Sequence, residues 1–183
     1  PTGVVDVDVC SADAQTSYPF EAATVAGNYS DNCLGTVTVN LTNTTQTGDS
    51  CGWTLVYTFE VVDSCGNKLE GETITHTGKD QTAPTGTAPT GVVDVDVCSA
   101  DAQTSYTFVA ATVAGNYSDN CLGAVTVNLT DTSFTPGDCG WTLVYTYEVV
   151  DSCGNKLEGE TITHTGSDQT APTGTAPSGN PRR

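Results

Sequence analysis

The chain has 183 residues, with 22 Asp and Glu against 5 Lys and Arg and a formal net charge of −17. That balance excludes nucleic acid and anionic membrane surfaces as partners, because both attract basic patches. Eight cysteines beside only two histidines, with no Cys-x-x-Cys pair, point away from zinc and towards disulfides in an oxidising, extracellular compartment. No run of 18 apolar residues is present, so no membrane insertion by this segment is expected. With neither a starting Met nor a signal peptide, the sequence reads as an interior piece of a longer polypeptide.

The stretch PTGVVDVDVCSADAQTSY begins at Pro1 and returns unchanged at Pro89, a period of 88 residues. All cysteines repeat with it, as Cys10/Cys98, Cys33/Cys121, Cys51/Cys139 and Cys65/Cys153. The domains expected are a first repeat at 1–78, a Pro/Thr/Gly-rich linker at 79–91, a second repeat at 89–166 and a linker-like tail at 167–183, after which a further repeat is expected.

Within a copy the apolar period is two. In chain order, residues 4–9 (VVDVDV) place Val5, Val7 and Val9 on one face and Asp6 and Asp8 on the other. Residues 18–27 supply one or two further strands. Residues 36–42 alternate Val37, Val39 and Leu41 with polar residues, and residues 53–61 align Trp53, Leu55, Tyr57, Phe59 and Val61. Residues 68–77 form a more polar last strand carrying His76. Short alternating strands punctuated by turns predict an all-β chain of two tandem immunoglobulin-like antiparallel β-sandwiches, each braced by two disulfides.

Cysteine pairing is argued from strand geometry. Residues 53–61 as one strand span roughly 30 Å, so Cys51 and Cys65, beyond its ends, cannot meet. A hairpin register with Leu41 opposite Tyr57, Val39 opposite Phe59 and Val37 opposite Val61 carries Cys33 to Cys65. The pairs expected are therefore Cys10–Cys51 and Cys33–Cys65, repeated as Cys98–Cys139 and Cys121–Cys153. Entry and exit then lie at opposite poles of a repeat, and successive repeats follow end to end.

The string YTFEVVDSCGN, followed by a strand, DQTAP and VVDVDVC, resembles the hyalin-repeat-like (HYR-like) module, and SDNC at residues 30–33 fits it too. Such modules recur in tandem in giant surface proteins of gliding and other Bacteroidota. The resemblance spans nearly all of both copies and implies an immunoglobulin-like fold, a cell-surface adhesive role and no catalytic residues.

The motif VVDSCGN occurs at residues 61–67 and 149–155. Its oxygen-bearing side chains make a candidate calcium set of Asp31, Asn32, Asp63 and Asn67, with Asp80 facing Asp119, Asn120, Asp151 and Asn155 in the second copy. The competing reading is that these Asp and Asn residues brace turns through their own backbones. Asp6 and Asp8 read as a charged strand edge. His76 and His164 read as exposed strand residues with no nucleophile and base around them, and Trp53 and Trp141 as core. The function expected is a structural stalk segment of an extracellular adhesin, not an enzyme. Its partners are neighbouring repeats. The alternative is a module that binds polysaccharide or protein through hairpin tips 43–50 and 131–138, the second carrying Phe134.

Overall fold

Strict alternation makes β3 (Gly52–Val62) the centre of the first sheet: Trp53, Leu55, Tyr57, Phe59 and Val61 are buried and the residues between them are not. This computed structural model describes residues 1–33, 35–121, 123–137 and 139–177. Asp138 of the second expected hairpin tip and tail residues 178–183 lie outside the described residues.

β3 lies between β2 (Thr38–Asp49) and β4 (Lys68–Lys79), both antiparallel to it, and β1 (Val7–Asp8) joins β4 in parallel, giving the order β1-β4-β3-β2. Val5 is largely exposed, so the regular part of the first strand is shorter than its alternation suggests. The covering layer over the apolar face is helical. α1 (Ala14–Ser17) seats Ala14 against Trp53, Leu55 and Tyr57, and α2 (Ala22–Ala26) seats Val25 against Val39, Phe59, Val61 and Ile74. Residues 18–27 therefore supply no sheet strand, and among the described residues the repeat has one four-stranded sheet under short helices in place of two facing sheets. Ala-rich sequence favours the helical turn, and Asn28 ends it by donating from Nδ2 to the carbonyls of Thr24 and Val25. The strand-rich class read from the sequence stands.

The hairpin register also differs from expectation. Val39 faces Val61 and Leu41 faces Phe59, two residues along from the expected pairing. A bulge between Leu41 and Asn43 absorbs Thr42, whose Oγ1 donates to the Thr58 carbonyl at 2.9 Å. Pairing then continues to Asp49–Gly52, so the expected tip at 43–50 is mostly strand, closed by Ser50 and Cys51.

The first compact unit consists of Pro1–Gly86 together with Tyr117–Thr126 and Val149–Leu157. Two loop-bearing stretches of the second sequence copy thus pack with the first. Within this unit β5 (Thr85–Gly86) pairs antiparallel with β7 (Tyr117–Ser118), Thr85 facing Ser118 and Gly86 facing Tyr117.

The second unit consists of Thr87–Asn116, Val127–Glu148 and the described residues from Glu158 onward. In the second copy the elements are β6 (Val95–Asp96), α3 (Ala102–Ser105), α4 (Ala110–Ala114), β8 (Thr126–Thr135), β9 (Trp141–Val150) and β10 (Lys156–Ser167), with sheet order β6-β10-β9-β8. Ala102, Trp141, Leu143 and Tyr145 form a buried cluster, and Phe134 packs against it. Phe134 is thereby half-buried against the core and not a fully displayed contact.

Candidate functional site

VVDSCGN folds as a braced turn between β3 and β4. Asp63 Oδ1 accepts from the Cys65 and Asn67 amides, each at 2.8 Å, and Asp63 Oδ2 accepts from Asn67 Nδ2 at 2.6 Å. Gly66 supplies the left-handed position, at φ 90°. The Asn67 side chain, against the opposing effect of burial, and the amides of Asn67, Cys65 and Gly66 together hold the Asp63 carboxyl below the usual range. Asp151 repeats the arrangement with Cys153 and Asn155. Burial pushes its carboxyl up, but the Asn155 side chain and the turn amides win, and the net shift is downward. Asp31 and Asp119 likewise accept from the amides of Cys33 and Cys121.

The disulfides do not follow the expected pattern. Cys10 bonds Cys121 and Cys51 bonds Cys153, with Cα separations of 5.2 and 4.9 Å. Cys33, Cys65, Cys98 and Cys139 are free and exposed. None of the expected pairs Cys10–Cys51, Cys33–Cys65, Cys98–Cys139 and Cys121–Cys153 is therefore present: two bridges run between the copies and four cysteines are unbonded. Cys51 does lie before β3 and Cys65 beyond its end, as expected. Both bridges run between the copies, a pairing that elimination within one copy leaves out.

Around these bridges the first unit gathers Asp80, Asp119, Asp151 and Asn155, a grouping the sequence anticipated. Asp80 is 3% exposed. Its amide donates to the Ser50 carbonyl at 2.7 Å, its Oδ1 accepts from the Thr82 amide, and its carbonyl accepts from Asn155 Nδ2 at 3.2 Å. Burial pushes its carboxyl above the usual range; the Thr82 amide opposes this, and the Asp119 and Asp151 charges add to it. Asp119 Oδ1 is buried without a hydrogen-bond partner. A proton on Asp80 would give this pair of carboxyls a donor.

One oxygen of Asp80, one of Asp119 and the Cys121 sulfur lie within 4.8 Å of one another. That sulfur is bonded to Cys10, so it is no thiolate ligand. Two carboxylates remain, whereas calcium takes six to eight oxygens. Asp151 and Asn155 are occupied by their turn. Asn120 places Nδ2 3.4 Å from Cys121 Sγ and 3.7 Å from Cys10 Sγ, against the disulfide. In the first copy Asp31, Asp63 and Asn67 line one cavity with Tyr29, while Asn32 is exposed in the adjoining turn. The geometry is that of braced turns around a covalent joint.

Two expectations about other polar residues need revision. His76 is half-buried, stacked on Tyr18 at 5.4 Å, and its Nδ1 accepts from the Val4 amide at 3.2 Å. His164 does the same with Tyr106 and the Val92 amide. Burial lowers both pKa values. Asp8 is a fastener more than a charged edge, its carboxylate accepting from the Gln81 amide and the Thr82 hydroxyl. Trp53 is core, as expected, and donates from Nε1 to the Val9 carbonyl at 2.7 Å. Neither a protein-family model nor a curated protein matches this chain.

Proposed function

We propose that the chain is a non-catalytic structural segment of a large extracellular adhesin, in which repeats in series hold a distal end away from the cell. The observation that carries this reading is the pair of disulfides joining one sequence copy to the next. Such bonds persist in oxidising surroundings, and joining copies to each other serves a chain that must stay assembled under load. The likeness of the motifs to HYR-like modules supports a bacterial cell-surface setting, with gliding or attachment as the process served. End-to-end succession of repeats belongs to the same proposal, and small-angle scattering showing a collapsed pair would remove it.

The alternative of a binding module rested on two displayed tips. The first is mostly paired strand, and Phe134 of the second is packed on the core. No observation favours it.

The test is labelling with an antibody raised against this chain. Intact source cells are expected to label as strongly as permeabilised ones, and protease shaving is expected to abolish the signal. Label that appears only after permeabilisation overturns the reading.

A further inference from the structure

The two copies supply an internal control, because residues at the joint differ in exposure from their repeat equivalents. Cys10, Asp80 and Pro84 are buried, whereas Cys98, Asp168 and Pro172 are exposed. Conversely Tyr117 and Asp151 are buried, whereas Tyr29 and Asp63 are only half-buried. Each repeat therefore carries two half-sites. A donor half-site has Cys10, Cys51, Asp80 and the β5 strand. An acceptor half-site has β7, Cys121, Cys153 and the braced turns. Among the described residues one donor and one acceptor are joined, and the cysteines of one further donor and one further acceptor are unbonded and exposed.

We propose that the open donor half-site, Cys98 and Cys139, takes the open acceptor half-site, Cys33 and Cys65, of a second copy of the chain. The bonds formed are Cys98–Cys33 and Cys139–Cys65, each shifted by one repeat from a bond present here. Thr173–Gly174 of one copy adds as a strand beside Tyr29–Ser30 of the other, as Thr85–Gly86 does beside Tyr117–Ser118. Asp168 enters beside Asp31 and Asp63, in the cavity those residues line with Tyr29, as Asp80 does beside Asp119 and Asp151. The two surfaces are different, so the contact is heterologous and leaves a new open half-site at each end. Joining two copies forms two S–S bonds and removes four thiol protons and four electrons. Two molecules of a small-molecule disulfide such as oxidised glutathione accept them and become four thiols. The partner is the chain's own repeat, so this inference goes beyond the adhesin reading and holds or fails apart from it.

The experiment is incubation of the purified chain with oxidised glutathione, followed by a non-reducing gel. A ladder at whole multiples of the monomer is expected, collapsing on reduction. Peptide mapping is expected to find Cys139 linked to Cys65. That bond is identifiable because Pro136 and Phe59 mark these peptides apart from those of Cys51 and Cys153. A Cys33→Ser/Cys65→Ser chain mixed with a Cys98→Ser/Cys139→Ser chain is expected to give a heterodimer and stop there. Since all four positions are exposed, these variants keep both internal bridges. A chain that stays monomeric, closes Cys33 onto Cys65, or dimerises when either variant is alone overturns the proposal.

Discussion

Asp80 lies against Asp119 in the interior of the first unit, while Asp168, its repeat equivalent, is exposed. The same residue type at the same place in the repeat is thus a buried acid in one copy and a solvated one in the other. Burial, with the charges of Asp119 and Asp151, raises the folded-state pKa of Asp80. A raised acid contributes stability that is fully present below the unfolded value of about 3.9 and is lost as pH rises through the folded value. Asp80→Asn keeps an acceptor for the Thr82 amide and offers a permanent donor to Asp119. It is expected to raise stability at neutral pH by about 1 kcal/mol and to flatten the pH dependence above ~4. Parallel pH slopes for the two proteins would dispose of the shared-proton account. Melting in excess calcium and in chelator is expected to coincide; a calcium-dependent rise that Asp80→Asn abolishes would show a cation held there.

The Cys51–Cys153 bridge closes a loop across 102 residues of sequence. Replacing both cysteines by serine is expected to cost about 2–5 kcal/mol, chiefly by freeing the unfolded chain. The denaturant midpoint of the double variant measures this. Coincident midpoints would mean that the bridge does not form in solution.

His76 titrates in the opposite sense from Asp80. Burial lowers its folded-state pKa, so its contribution is present above about 6.5 and is lost as pH falls through the lowered folded value. Protonation makes Nδ1 a donor facing the Val4 amide, which is itself a donor. The expected result is faster exchange at the Val4 amide in mild acid, with an NMR titration midpoint for His76 below the free value. A midpoint at or above that value would contradict the packing described.

Gly78 is held by contact and not by conformation. A Cβ there would stand 2.3 Å from Trp53 Cζ2 and 2.7 Å from the Val7 carbonyl oxygen. Gly78→Ala is expected to destabilise by about 1–3 kcal/mol, with Trp53 fluorescence shifting as the ring is displaced. Wild-type emission and stability together would show that the sheet yields more easily than the geometry implies.

The strands β3 and β4, the repeat and the buried tryptophans were legible because alternation records which face is covered. α1 and α2 were not, since helices of four and five residues are too short to show a 3.6-residue stripe. The register differs by two because a slip of two keeps every side chain on its own face, which the apolar pattern cannot distinguish. Asp80 was placed beside Asp119, Asp151 and Asn155 by following the linker to the next repeat. The sequence around Cys10 returns unchanged around Cys98, so every local argument holds equally for both and sequence alone does not separate a bond within a repeat from one between repeats.

The bridges span residues 10 to 121 and 51 to 153, and these loops overlap. A pull applied to the two chain ends crosses from Cys10 to Cys121 through sulfur and bypasses everything between them. The contour length that unfolding can release is then set by the stretch from Cys121 to Cys153 and the two tails, not by the whole chain. Even with every strand lost, the molecule is a tether of limited extensibility, and a reductant would act on it as a length switch.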